Sequence, residues 1–176
     1  MMVVTAIFMI LSGVVLSTNA RFGDTIILKN LGHDMALAVR EAQVYGISVR
    51  RFSGATFDVG YGMHFATSPA GTQSMYQLYG DANANGVYDE GGAETVTSTT
   101  IRGGYRVVDI CARAANGIDE CGLSSIDILF RRPEPDALIR RSAEAVLDNR
   151  ARIIIESNRG DRTEVVVEAS GQISVQ

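Results

Sequence analysis

The chain has 176 residues, enough for one domain of ordinary size plus a distinct N-terminal element. Hydrophobic residues make up 46%, with 3 Pro and no Trp, a composition that can bury a core and argues against a disordered chain. The formal net charge of −4 gives no overall electrostatic reason to expect nucleic acid as the main partner.

In chain order, the run from Met1 to Leu16 holds no charged residue. A spanning helix needs roughly 17–25 mostly apolar residues, so the run is slightly short. Three readings compete for it. A cleaved signal peptide has a plausible site at Thr18-Asn19-Ala20 but lacks a basic start. A buried core helix is an odd opening for a chain. A membrane helix whose first residues precede Met1 is the reading we take forward. From there Leu28, Leu31, Met35, Ala38, Ala42 and Tyr45 recur three and four apart, which lines one face of a helix. Gly46 is expected to stop it in left-handed geometry. The two stretches together predict one helix of over forty residues, apolar all round first and on one side only later.

Beyond Gly46 the period becomes two. Strands are expected over 47–52, 59–66, 74–79, 95–101, 105–111, 126–130, 151–156, 163–169 and 173–175. Turn signals at Gly54, Pro69-Ala70-Gly71, Asn85-Gly86, Gly103-Gly104, Asn158-Arg159-Gly160 and Ser170-Gly171 separate them. The segment 136–149 reads either as a short helix or as a strand (137–140) followed by a loop. The expected fold class is α+β. A long N-terminal helix, membrane-spanning in its first half and amphipathic in its second, would pack on an antiparallel β-sheet domain. The divisions are 1–17 for the spanning half, 18–46 for the amphipathic half and 47–176 for an exported β-rich domain.

Two constellations carry chemistry. Asp81, Asn83, Asn85, the Val87 carbonyl and Asp89 match the first positions of a D-x-N-x-N-G calcium loop, with Gly86 at the sharp turn. Gly92 stands where the bidentate glutamate belongs, leaving Glu90 or Glu94 to substitute. Asn-Gly alone also signals a hairpin turn, and both readings stand. Cys111 and Cys121 are ten apart, a spacing of neither a zinc site nor a redox Cys-x-x-Cys. In an exported domain a disulfide is expected. His33 and His64 lack partners of a catalytic kind. The segment 131–162 carries eight arginines against six acids, read as a solvated face with intersubunit ion pairs. Tyr61, Tyr76, Tyr79, Tyr88 and Tyr105 are expected to pack the sheet.

The order of these elements resembles the type IV pilin and pseudopilin family, closest to minor pseudopilin H of type II secretion and related minor pilins. The stretch from Asn30 to Ala42, with Asn30, Leu31, Ala38, Arg40, Glu41 and Ala42, is similar to the family's "N-x-L…A-R-x-E-A" pattern, and Gly46-Ile47-Ser48-Val49 continues it. The segment from Val165 to Val175 resembles its closing hairpin. The likeness covers the first fifty residues by sequence and the remainder by architecture. Family members begin with a basic leader, a Gly and a short segment ending in Glu, none of which occurs here. Met1-Met2-Val3-Val4-Thr5-Ala6-Ile7 fits the segment after that glutamate, so the true start is expected upstream.

The resemblance implies a non-enzymatic subunit of a pilus or a secretion pseudopilus, with no catalytic residues and no required cofactor beyond the candidate Ca2+. A prepilin peptidase would trim and methylate the precursor. Its partners would be other pilin or pseudopilin subunits, the inner-membrane assembly machinery and membrane lipid. Val3, Ala6, Ile7, Ile10, Leu11, Val14 and Val15 would pack helix on helix. The implied location is the bacterial inner membrane, single-pass, with the C-terminal domain outside the cytoplasm and later in a filament. The competing class is a secreted β-rich module, calcium-binding in this loop and freed by signal cleavage.

Overall fold

The computed structural model describes residues 2–48, 51–52, 59–68, 72–91, 94–114, 117–141 and 147–176, with the side chains of 17–22 excepted. The turn signals at Gly54 and at Pro69-Ala70-Gly71, and the expected strand residues 49 and 50, lie outside the described residues.

One helix, α1, runs from Met2 to Ile47. Among the described residues ten strands follow: β1 (Gly60–Ala66), β2 (Met75–Asp81), β3 (Thr95–Thr100), β4 (Arg106–Arg113), β5 (Asp119–Glu120), β6 (Ser125–Phe130), β7 (Ala137–Arg141), β8 (Arg150–Glu156), β9 (Arg162–Glu168) and β10 (Ile173–Val175). They form two antiparallel five-stranded sheets, ordered β3-β2-β1-β6-β7 and β10-β9-β8-β4-β5. A single expected sheet is therefore two, and 137–141 is a strand.

The period-two pattern explains the second sheet directly. Along β8 Ala151, Ile153 and Ile155 are buried while the residues between them are partly exposed; on β9 Thr163, Val165 and Val167 are buried and Val166 between them is buried as well. Strand β1 breaks the alternation because it is buried on both faces. Met63 and Phe65 join the main core, whereas Tyr79 lies across Gly62 on the other side.

The C-terminal half of α1 bridges both sheets. Leu28, Met35, Val39 and Ala42 share one core cluster with Phe65, Ile126 and Phe130 of the first sheet and Ile110, Ile153 and Val165 of the second. Tyr45 meets Tyr61 edge to face, with centroids 5.7 Å apart. Buried Gln43 donates from Nε2 to the carbonyls of Pro135 (2.9 Å) and Gly171 (3.2 Å), one in each sheet's connections. Near the other end, Arg159 on the β8–β9 turn pairs with Asp24 at 3.0 Å.

Gly46 has a different reason from the one expected. It lies inside the helix, which continues to Ile47, so that residue is helical rather than the start of a strand. A Cβ on Gly46 would fall 2.4 Å from the Phe130 carbonyl oxygen. Close approach of helix to β6 selects glycine here.

The membrane-spanning first half is overturned. Among the described residues no helix is long and apolar enough to cross a membrane. The physical reason is length: the described apolar stretch 2–16 rises about 22 Å at 1.5 Å per residue, short of a hydrocarbon core of about 30 Å. Single-pass anchoring in the inner membrane is corrected with it. What remains is an apolar helical stretch exposed on every side, including Val3, Ile7, Ile10, Leu11, Val14 and Val15.

Cys111 on β4 and Cys121 after β5 are joined in a disulfide, with Cα atoms 4.0 Å apart. Such a bond forms and persists in oxidising surroundings, which points to a location outside the cytoplasm.

Met35 is fully buried and Leu37, two residues on, is 66% exposed. Met35→Ala should therefore cost about 2–5 kcal/mol, while Leu37→Ala stays within about 0.5 kcal/mol of the parent; urea unfolding followed by circular dichroism reads both. Opening the 10-residue disulfide loop should lower stability by roughly 2–3 kcal/mol, measured as the difference between urea midpoints with and without reductant.

Candidate functional site

The expected calcium loop lies between β2 and β3 and is not a tight hairpin. Strand β2 ends at Asp81 and β3 starts at Thr95, so the Asn85-Gly86 pair turns inside a longer connection. The loop folds on its own polar side chains. Asn83 Oδ1 accepts from the Asn85 N–H at 3.0 Å, and Asn85 Oδ1 accepts from the Val87 N–H at 2.9 Å. These are side chains standing in for a backbone turn. Ala84 and Gly86 take positive φ, 59° and 80°. At Gly86 a Cβ would also meet the Arg140 guanidinium, 2.8 Å from Nε. Glycine is required there twice over.

Two carboxylates anchor this turn from inside. Asp81 is 4% exposed, and its Oδ2 accepts from the Gly86 N–H at 3.1 Å. Glu94, equally buried, accepts from the N–H of Ala82 (3.1 Å) with one oxygen and of Asp89 (3.2 Å) with the other, tying the loop's two ends together. Asp89 lies nearer the surface and accepts with one oxygen from the side-chain amides of Asn83 (2.6 Å) and Asn85 (3.0 Å). Desolvation raises the pKa of both Asp81 and Glu94 above the ordinary carboxylate values; backbone N–H donors oppose the rise without cancelling it.

The loop also covers the outer face of the first sheet. Tyr88 packs on His64 (centroids 4.9 Å) and Tyr79 (5.6 Å). Its N–H donates to Asp127 Oδ1 at 3.2 Å, the same oxygen that lies 2.8 Å from His64 Nδ1. His64 is thus a buried, hydrogen-bonded partner of β6. Sequence reasoning missed both Asp127 and the double role of Glu94. The signal for Asp127 was present: a lone charge within Ser125-Ile126-Asp127-Ile128-Leu129-Phe130 is out of place in a buried strand unless something pairs it. The spacing marks Glu94 only as a substitute ligand, two positions beyond the EF-hand glutamate, and nothing local shows that it clamps the loop's backbone.

Of the expected calcium residues, Asn83, Asn85 and Asp89 are joined by side-chain hydrogen bonds while Asp81 holds the Gly86 N–H, and Gly92 lies outside the described residues. Among the described residues, one group of three ligating side chains comes within 4.8 Å of one another: Asp109, Cys111 and Cys121. The disulfide uses both sulfurs, so that group is no metal centre as it stands. The expected helix-packing residues lie together on the exposed stretch of α1.

Five arginines of 131–162, Arg141, Arg150, Arg152, Arg159 and Arg162, pair with acids of the same chain. Arg141 engages Asp148 (2.6 Å) and Glu120, Arg150 engages Glu168 (2.6 Å), and Arg162 engages Glu156 (2.7 Å). Tyr61 and Tyr79 are fully buried, and Tyr76 and Tyr105 nearly so.

A carboxylate whose pKa is raised by folding takes up a proton more readily in the folded state. Its contribution to stability is present in acid and is lost as pH rises through the folded pKa. For Asp81 and Glu94 that window opens above their ordinary values of 3.8 and 4.5. In chelator-containing buffer, wild type should therefore lose stability relative to Asp81→Asn as pH climbs from 4 through this window. Urea midpoints across the range read the slope, and an opposite sign refutes the electrostatic account of the loop.

Compared with protein-family models, with curated proteins and with solved structures, the chain matches none.

Proposed function

We propose that the protein is a non-enzymatic, pilin-like subunit that assembles into a filament by bundling the first part of α1 with the same segment of other copies. The observation that carries this reading is the contrast within one continuous helix. Residues from Leu28 onward are seated on two sheets, yet Met2, Phe8, Ile10 and Leu11 are 88%, 72%, 66% and 58% exposed. A helix apolar on every side calls for burial all round, and a groove on one partner covers only one face. Several parallel copies cover all of them. Phe8, Leu11, Ser12, Val15 and Leu16 frame a shallow apolar hollow, the relief that lets ridges of one helix enter grooves of another.

The disulfide supports a subunit that matures outside the cytoplasm. The β-rich domain would then face outward from the bundle and carry the subunit's individual contacts. Pilus and secretion pseudopilus use the same helix logic, so the reading names the assembly rather than the machine.

Ile7 is 53% exposed and belongs to the stretch that leaves the core. In the full chain, Ile7→Glu should abolish self-association in sedimentation velocity and remove filaments from negative-stain images. Its unfolding free energy in urea should stay within about 0.5 kcal/mol of wild type. An unchanged assembly state in the variant would falsify the helix-bundle reading.

A further inference from the structure

We infer that the 81–89 loop is a calcium site in which Asp81 Oδ1 is the buried primary ligand and Glu94 is the clamp that shapes the loop, not a ligand. This rests on the loop alone and stands or falls independently of filament assembly.

The first support is an orphaned acceptor. The Asp81 carboxylate is turned into the loop: Oδ2 takes the Gly86 N–H, and the N–H groups of Asn85 and Ala84 also favour its charged form. Oδ1 of the same carboxylate is buried and has no hydrogen-bond partner. A buried anionic oxygen left without a donor is costly, and native structures resolve such groups with a partner, a water or an ion.

The second support is the local charge balance. Three carboxylates, Asp127, Asp81 and Glu94, act on the buried Tyr79 hydroxyl, against one guanidinium, Arg140. The Tyr79 hydroxyl and Arg140 Nε are also buried without partners, so the region beneath the loop is polar and incompletely satisfied. Asp127 already has His64 and the Tyr88 N–H, and both Glu94 oxygens are taken by backbone donors. Asp81 has the Arg131 charge within electrostatic reach but no donor on Oδ1, so the unmet acceptor in this region is Asp81 Oδ1.

The remaining ligands follow from the loop's own bonding. Asn83 and Asn85 aim their amide N–H groups at one oxygen of Asp89. Two such dipoles facing a carboxylate supply part of the positive charge that a cation supplies in full. With a cation present, the Asn83 and Asn85 carbonyl oxygens, the Val87 main-chain carbonyl and Asp89 would join Asp81 as an all-oxygen set. Oxygen-only donors select hard cations. Two carboxylates with several neutral oxygens in an irregular loop suit the larger, geometrically tolerant calcium over magnesium, which demands a near-ideal octahedron. So few charges place the affinity near that of extracellular calcium modules, about 10⁻⁴–10⁻³ M. Binding would pin Tyr88 over His64 and so fasten the cover of the first sheet.

The test is isothermal titration of the full chain, stripped with chelator, using calcium chloride and separately magnesium chloride, with thermal melts alongside. The expected result is one calcium per chain in that range, a melting point that rises with calcium, and a clearly weaker response to magnesium. Asp89→Asn, at the loop surface, should weaken calcium at least about tenfold, because affinity follows ligand charge. It remains informative even if Asp81→Asn, in the core, does not fold. Glu134→Gln, an exposed acid elsewhere, should bind as wild type does. No calcium heat and no melting shift, or calcium binding unaltered in Asp89→Asn, would overturn the assignment.

Discussion

The structure depends on one packing event, the seating of a single helical stripe between two sheets. Leu28, Met35, Val39 and Ala42 meet side chains of both sheets in one cluster, so neither sheet completes its core without the helix. Direct contact with β4 across the sheets is slight beside what α1 provides. Gly46 sets how near the helix comes to β6, and Gln43 uses one amide to hold carbonyls from two separate connections. A shift of α1 by one turn would expose the stripe and orphan those carbonyls together, which fixes the helix against both sheets.

The same helix then carries a burden that its own fold does not relieve. Large apolar side chains before residue 17 stand in solvent, and each exposed Val, Ile or Leu forgoes roughly 1.5–3 kcal/mol of transfer free energy. Exposure on this scale is the usual mark of an interaction surface. The apolar stretch belongs to the same helix whose later residues seat on both sheets.

The outer face of the first sheet shows a different economy. Tyr79 and Tyr88 cover it with rings, and the loop that brings Tyr88 is closed by carboxylates rather than apolar contacts. Asp81, Glu94 and Asp127 are all buried, and burying charge is tolerable only when each has donors or a counter-charge. The loop therefore combines a structural cover with an electrostatic demand, and the two meet at Asp81.

The sequence by itself determined the local pattern. The 3.6-residue stripe specified an amphipathic helix, and alternation located nearly every long strand, because both depend on which side chains must face a core. It also placed the cysteines in reach of each other and the oxygen ligands at alternating positions of a turn. Tertiary structure decided what local pattern cannot encode. Strand alternation does not say how strands divide between sheets, so one expected sheet became two. Gly46 looks like a helix stop in sequence, and only the approach of the Phe130 carbonyl reveals it as a contact position. Glu94 and Asp127 lie 13 and 46 residues from Asp81, and only the folded sheet brings their charges to one site. The reach of the opening apolar run, by contrast, is legible in the sequence: residues 2–16 rise about 22 Å as a helix, less than a hydrocarbon core of about 30 Å.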